Sequence, residues 1–97
     1  MSRHDLYRLD NGLVVDVQTD YLVGLDTRLV IPLDLAIRAP RRTPRLNPSF
    51  EIGGERYILM TQQMASVPSK WLDNRVASLA AFADDITEAI DVLLTGF

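Results

Sequence analysis

Side chains that could carry catalytic chemistry are scarce in this sequence. His4 is the single histidine, and there is no cysteine, so neither a thiolate metal site nor a disulfide framework can form. A histidine so close to the first residue is more often a surface residue than a general base. We therefore predict no catalytic residue, no bound metal and no cofactor.

A group of acids and a pair of glycines also have simpler interpretations than a site. Acids within two helical turns could share a site, but acids near the start of a helix also complement its dipole, and we expect this solvated face. Gly53 and Gly54 lack the further glycines and the lysine of a phosphate-binding loop, so they are predicted to form a turn. The acids concerned are Asp84, Asp85, Glu88 and Asp91.

Arginines are concentrated in residues 38–49, a segment that also holds three prolines. Three interpretations remain open for the cluster: a solvated loop, a binding patch for an acidic partner, or an RNA contact. No aromatic residue is interleaved to stack bases, and a net charge of −3 disfavours a surface that grips phosphate backbones. Any role on DNA should therefore be indirect. The clustered residues are Arg38, Arg41, Arg42 and Arg45.

The elements that would position these groups are predicted to be strands first and a helix last. Residues 6–18 should form a hairpin around Asp10-Asn11-Gly12, and residues 50–60 a second one around the paired glycines. Residues 28–33 are short and apolar enough for a buried strand. Pro32 should mark the end or the edge of that strand, because proline cannot donate to a ladder.

Beyond Pro68 the apolar residues follow a helical period up to Phe97. No basic residue follows Arg75, so the far tip of this helix is predicted to be apolar and uncapped. Trp71 should be a core or sub-surface packing residue. Together these elements predict one α+β domain over residues 1–97, a small, mostly antiparallel barrel closed by a terminal helix. With no run of the roughly 18 apolar residues that a membrane span needs, we expect a cytoplasmic protein with no membrane partner.

Four runs, in order and in register, resemble the CcdB family, the toxins of ccd toxin–antitoxin systems. The runs are VDVQTD at 15–20, RLVIPL at 28–33, MTQQMASVP at 60–68 and AIDVLLTGF at 89–97. The resemblance implies an SH3-like small barrel of the CcdB and MazF type with a C-terminal helix. It also implies a homodimer that is not an enzyme.

In that family the helix tips enter the cleft of the DNA gyrase A subunit and trap gyrase on cleaved DNA, until a CcdA-like antitoxin removes the toxin. DNA is contacted only through gyrase or the antitoxin complex. An acidic, disordered antitoxin segment is expected on the arginine cluster. By position, the resemblance places the gyrase contacts on Tyr21, Leu22, Asp91, Leu94, Thr95, Gly96 and Phe97.

The ending departs from the family pattern, because the best-known member ends in Trp-Gly-Ile and this chain ends in Thr-Gly-Phe. Loss of an aromatic anchor costs about 2 kcal/mol, or roughly thirtyfold in affinity, and Phe97 is expected to restore part of it. The first hairpin is also shorter than in that member. Two alternatives stay open: a non-toxic relative that keeps only antitoxin binding, and an mRNA endoribonuclease using Arg28 or the arginine cluster.

Overall fold

The computed structural model describes residues 2–10, 12–22, 24–39 and 43–96. The described chain holds strands β1 to β7, three short 3₁₀ turns and one helix, α1. Their bounds are β1 Asp5–Leu9, β2 Gly12–Asp16, β3 Thr27–Leu35, β4 Ser49–Ile52, β5 Glu55–Leu59, β6 Ala65–Pro68, β7 Arg75–Ser78 and α1 Ala83–Thr95, with 3₁₀ turns at Thr61–Gln63, Ser69–Trp71 and Ala80–Phe82.

All strand pairs are antiparallel and belong to one sheet in the order β4-β5-β3-β2-β1-β7. The long β3 is central: its first half pairs with β6 and its second half with β5. This change of partner along one strand bends the sheet into a half-barrel, which α1 covers. The predicted fold class, a mostly antiparallel α+β small barrel with a terminal helix, is confirmed.

Both predicted hairpins are present. In the first, Leu9 pairs with Gly12 and Asp10 has a φ of 55°, as the first position of a type I′ turn requires; Asn11 lies outside the described residues. In the second, Gly53 and Gly54 have φ values of 60° and 84°, which glycine adopts at no steric cost. Local turn chemistry therefore sets the register of both hairpins.

Pro32 lies in the middle of β3, so the prediction of a strand end or edge was wrong. It sits opposite Val14 of β2, but its carbonyl accepts a hydrogen bond from the Met60 amide on the other side of β3, at 2.9 Å. Because the N–H and C=O of one strand residue point to the same side, the missing donor faces the junction of β5 and β6, not β2. The ladder with β2 therefore loses no bond.

The helical pattern predicted after Pro68 begins later than expected. Strand β7 lies in this region, and β6 ends at Pro68 just before it. Both strands were missed because they are four residues long and largely exposed, without clear alternation. In α1 the predicted apolar positions Ile86 and Ile90 face the core, with Ile86 fully buried, and Ala89 beside them is fully buried as well. Phe82, just before the helix, stacks on Phe50 with ring centroids 4.7 Å apart.

The sheet buries apolar side chains on both faces. The main cluster lies between the sheet and α1 and includes Leu6, Val15, Ile31, Leu59 and Ile86. A smaller cluster on the other face gathers around Leu72. Trp71 was predicted to be a packing residue, but it is 50% exposed, so this prediction was wrong. At the end of the 3₁₀ turn the adjacent Leu72 is buried in its place.

Candidate functional site

The end of α1 is capped, which corrects the prediction of an uncapped tip. Gly96 has a left-handed φ of 81°, and its amide donates to the Val92 carbonyl. The Thr95 hydroxyl donates to the Asp91 carbonyl at 2.6 Å. A Cβ at Gly96 would meet nothing within 4 Å, so glycine serves the backbone conformation and not a close internal contact.

This capped end presents exposed apolar side chains. Leu94 is 71% exposed and Leu93 is partly exposed, while Asp91 and Thr95 lie at the surface beside them. No basic side chain lies in the last turn. Phe97, the last of the predicted contact residues, lies outside the described residues.

A second exposed apolar patch lies in the loop between β2 and β3. Tyr21 is 92% exposed and Leu22 about half exposed. The Tyr21 amide donates to the hydroxyl of Thr19, and the Leu22 amide to the Thr19 carbonyl, each at 3.3 Å. Thr19–Leu22 is thus a formed turn, here called the Tyr21 turn. Within the described ranges no hydrogen bond or ion pair joins the Tyr21 turn to the end of α1.

A buried ion pair lies beneath the Tyr21 turn. The Arg28 Nε donates to the Asp16 carboxylate at 2.8 Å, and Arg28 is only 7% exposed. The Gln18 amide donates to the other Asp16 oxygen at 3.0 Å. Burial raises the pKa of Asp16 above its usual value, while Arg28 acts in the opposite direction. Arg28 is thus engaged inside the protein and is not presented to a phosphate.

His4 is buried, and its backbone hydrogen-bonds to two other segments of the chain, so the prediction of a surface residue was wrong. It is 9% exposed and has a positive φ of 74°. Its amide donates to the Asp16 carbonyl at 2.6 Å, and its carbonyl accepts from the Leu79 amide at 2.7 Å. Burial, with a smaller contribution from Arg3, lowers the pKa of His4, which favours the neutral imidazole.

The arginine cluster is described in part. Arg38 and Arg45 are exposed, and the Arg45 Nε lies 3.4 Å from the Glu88 carboxylate of α1, with both side chains more than half exposed. Arg41 and Arg42 lie outside the described residues. The predicted loop is confirmed for residues 38–39 and 43–48, and the contact with α1 brings one predicted arginine against one of the predicted helix acids.

Asn47 anchors this loop and was not singled out from the sequence. It is almost fully buried; its Oδ1 accepts from the Thr43 amide at 3.1 Å, and its Nδ2 donates to the Leu59 carbonyl at 3.0 Å and to Gln62 at 2.7 Å. The available signal was an asparagine directly before Pro48, a pair typical of loops. That pair did not indicate that Asn47 would contact Leu59. The charged residues Asp16 and Arg28 did not indicate that they would form a buried ion pair.

Among the described residues no group of three histidine or acidic side chains is arranged to hold a metal ion. No described helix is long and apolar enough to cross a membrane. The described residues that were predicted for binding lie at the surface in three places: the end of α1, the Tyr21 turn and the arginine cluster.

Comparisons with known proteins show the family and the fold of this chain. The sequence matches the family described as CcdB protein over residues 3–96. In structure, the chain is similar to an endoribonuclease in complex with its cognate antitoxin from Mycobacterial species, with a TM-score of 0.77 and 15% identity, covering 97% of this chain and 94% of that one. An endoribonuclease from Mycobacterial species matches with a TM-score of 0.76 and 17% identity, covering 97% and 90%. At these identities the two structures show the shared fold alone. Because the family match spans nearly the whole sequence, the chain belongs to the CcdB family and is a toxin of a toxin–antitoxin system.

Proposed function

We propose that this toxin poisons DNA gyrase by binding its A subunit through the end of α1 and the Tyr21 turn. The observation that carries the proposal is the exposed Leu94, presented on a capped helix end in a CcdB family member. Gyrase itself cleaves the DNA, and the bound toxin stabilises the cleaved complex. The toxin contributes apolar contact surface and no catalytic group.

The energetics favour a partner on these two patches. Fully burying a leucine side chain stabilises a complex by about 1.5–3 kcal/mol, and tyrosine is among the residues most enriched at binding hot spots. Leu94 and Tyr21 are mostly exposed in the subunit, so most of this gain is available on binding. The cap at Gly96 holds the helix end in one conformation, which reduces the entropy lost on association.

The contacts of the candidate nuclease groups support a binding protein over an endoribonuclease. RNA cleavage needs a group that binds the phosphate and a group that moves a proton. Arg28 is held by Asp16 in the interior, and His4 is buried with its backbone joining two strands. The nuclease activity of the structural neighbours is therefore not our proposal for this chain.

Removing the end of the helix tests the proposed interface. A variant lacking Thr95, Gly96 and Phe97 should lose binding to immobilised gyrase A subunit by thirtyfold or more, as expected when a hot spot is removed, while keeping its circular dichroism spectrum. Light scattering on the same samples should give twice the chain mass, since we propose a homodimer. Equal binding by the truncated and full chains would refute the helix-end interface, and cleavage of RNA by the full chain would favour the nuclease.

We further propose that an acidic antitoxin segment binds the arginine cluster. Arg38 and Arg45 are both exposed, and Asn47 anchors the loop that holds Arg45. Complementary charges of this kind accelerate association and make it depend on salt. A loop with several guanidinium groups fits a flexible, acidic peptide better than a rigid apolar one.

Charge reversal tests the antitoxin surface. Arg38→Glu should slow association with the co-encoded antitoxin about tenfold at low salt, and the difference should shrink as salt is raised, because screening weakens exposed charge pairs. Lys70→Glu is the matched control, since Lys70 is an exposed cation outside the cluster. Equal slowing by both substitutions would indicate a general charge effect and would remove the cluster from the proposal.

A further inference from the structure

Three charged groups form a chain that runs from the core to the Tyr21 turn. The Arg28 guanidinium is 2.8 Å from Asp16, which is fully buried, and 3.7 Å from the carboxylate of Asp20, which is more than half exposed. Arg28 also donates to the Gln18 carbonyl at 3.4 Å. One arginine is therefore shared between the interior and the residue directly before Tyr21.

The same turn is tied to a second part of the chain. The Asp20 Oδ1 accepts a hydrogen bond from the Arg3 amide at 2.9 Å, just before β1. The Gln18 side chain accepts from the Leu29 amide at 3.2 Å, on β3. Asp20, Arg3, Thr19 and Tyr21 also line a cleft of about 350 Å³ beside the exposed ring.

We propose that Asp20 is the positioning residue of the Tyr21 turn, holding it in the conformation that the partner recognises. Asp20 fixes the turn by accepting from the Arg3 amide and by facing the Arg28 guanidinium, whose own orientation Asp16 sets. The inference rests on the proposed binding of gyrase through Tyr21. It adds a residue that acts through Tyr21 and need not touch the partner.

The physical reason is pre-organisation. The affinity of an exposed aromatic residue on a mobile loop is proportional to the fraction of time that the loop spends in the conformation that can bind. The Thr19 hydroxyl alone provides a single hydrogen bond, at 3.3 Å, to the Tyr21 amide. The two contacts of Asp20 add restraint from elements on both sides of the turn, so their loss should lower the competent fraction.

A double-mutant cycle tests the proposal. Asp20→Ala should weaken binding to the gyrase A subunit about tenfold, but should have almost no effect in a Tyr21→Ala background, because the ordered turn then presents no ring. Asp20→Asn, which keeps the acceptor for Arg3 and loses the charge, should give an intermediate loss. Asp73→Ala removes an exposed acid elsewhere and should leave binding unchanged. Equal losses from Asp20→Ala in both backgrounds would overturn the positioning role.

A measurement on the free protein separates this inference from the proposed function. The ¹⁵N heteronuclear NOE at Tyr21 and Leu22 should match that of the sheet in the wild type and fall in Asp20→Ala. If the wild type does not bind gyrase, the proposed function fails, but a fall in this NOE still supports ordering of the turn by Asp20. An unchanged NOE overturns the inference whatever the binding result.

Discussion

A protein carrying Leu94→Glu should fold normally and lose about 100-fold or more in affinity for the gyrase A subunit. Leu94 is 71% exposed in the subunit, so the substitution removes almost no core packing, and surface changes of this kind shift stability by about 0.5 kcal/mol or less. At the interface it replaces an apolar anchor by a carboxylate that must be desolvated. Surface plasmon resonance would give the affinity, and thermal unfolding the stability.

Thr87→Glu is the matched control for this prediction. Thr87 is an exposed residue of the same helix, two turns before the capped end, and the substitution adds the same charge. It should bind gyrase like the wild type. If Leu94→Glu and Thr87→Glu weakened binding equally, charge on α1 and not the apolar tip would control the interaction.

Substitution Arg28→Met should lower the free energy of unfolding at pH 7 by about 3–5 kcal/mol, since it leaves the buried Asp16 carboxylate without its cation. That is a large part of the 5–15 kcal/mol typical of a small domain. Arg45→Met is the control, because the Arg45–Glu88 pair is exposed and such pairs contribute about 0–1 kcal/mol. Urea unfolding followed by circular dichroism would measure both, and equal effects would contradict a buried, obligatory pair.

The deficit of Arg28→Met should depend on pH. Burial raises the pKa of Asp16, and Arg28 lowers it, so removing Arg28 raises the folded-state pKa further above the unfolded value. As the pH falls, Asp16 then takes up a proton at a higher pH in the folded protein than in the unfolded chain. The loss of stability is therefore largest above the folded-state pKa of Asp16, and it shrinks as the pH falls through that pKa. A deficit that stayed constant from pH 7 to pH 4 would show that Asp16 does not carry the penalty.

Local signals were enough to predict the hairpins, the final helix and the loop at residues 38–39 and 43–48. Two-residue turns with glycine and a helical apolar period act over a few neighbours, so one sequence carries them. Strands β6 and β7 were missed because they owe their conformation to pairing with β3 and β1, which no local pattern records. The same is true of Pro32, whose tolerance depends on where two other strands meet.

Of the candidate site, the sequence indicated the contact residues through a family resemblance but not their support. Tyr21 and Leu94 were predicted, whereas the Asp16–Arg28 pair and the role of Asp20 were not. Asp16 and Asp20 precede Arg28 by 12 and 8 residues, and they meet it only because the chain turns back between β2 and β3. His4 was misjudged for a similar reason. Its burial comes from β2 and the residue after β7 closing around the start of β1.

The most direct test is to mix purified toxin with gyrase and supercoiled plasmid and to score linear DNA after denaturant. The wild type and Thr87→Glu should trap linear plasmid, and Leu94→Glu should trap almost none. If the folded wild type produced no linear DNA even in large excess over active gyrase, gyrase poisoning through the helix end would be contradicted.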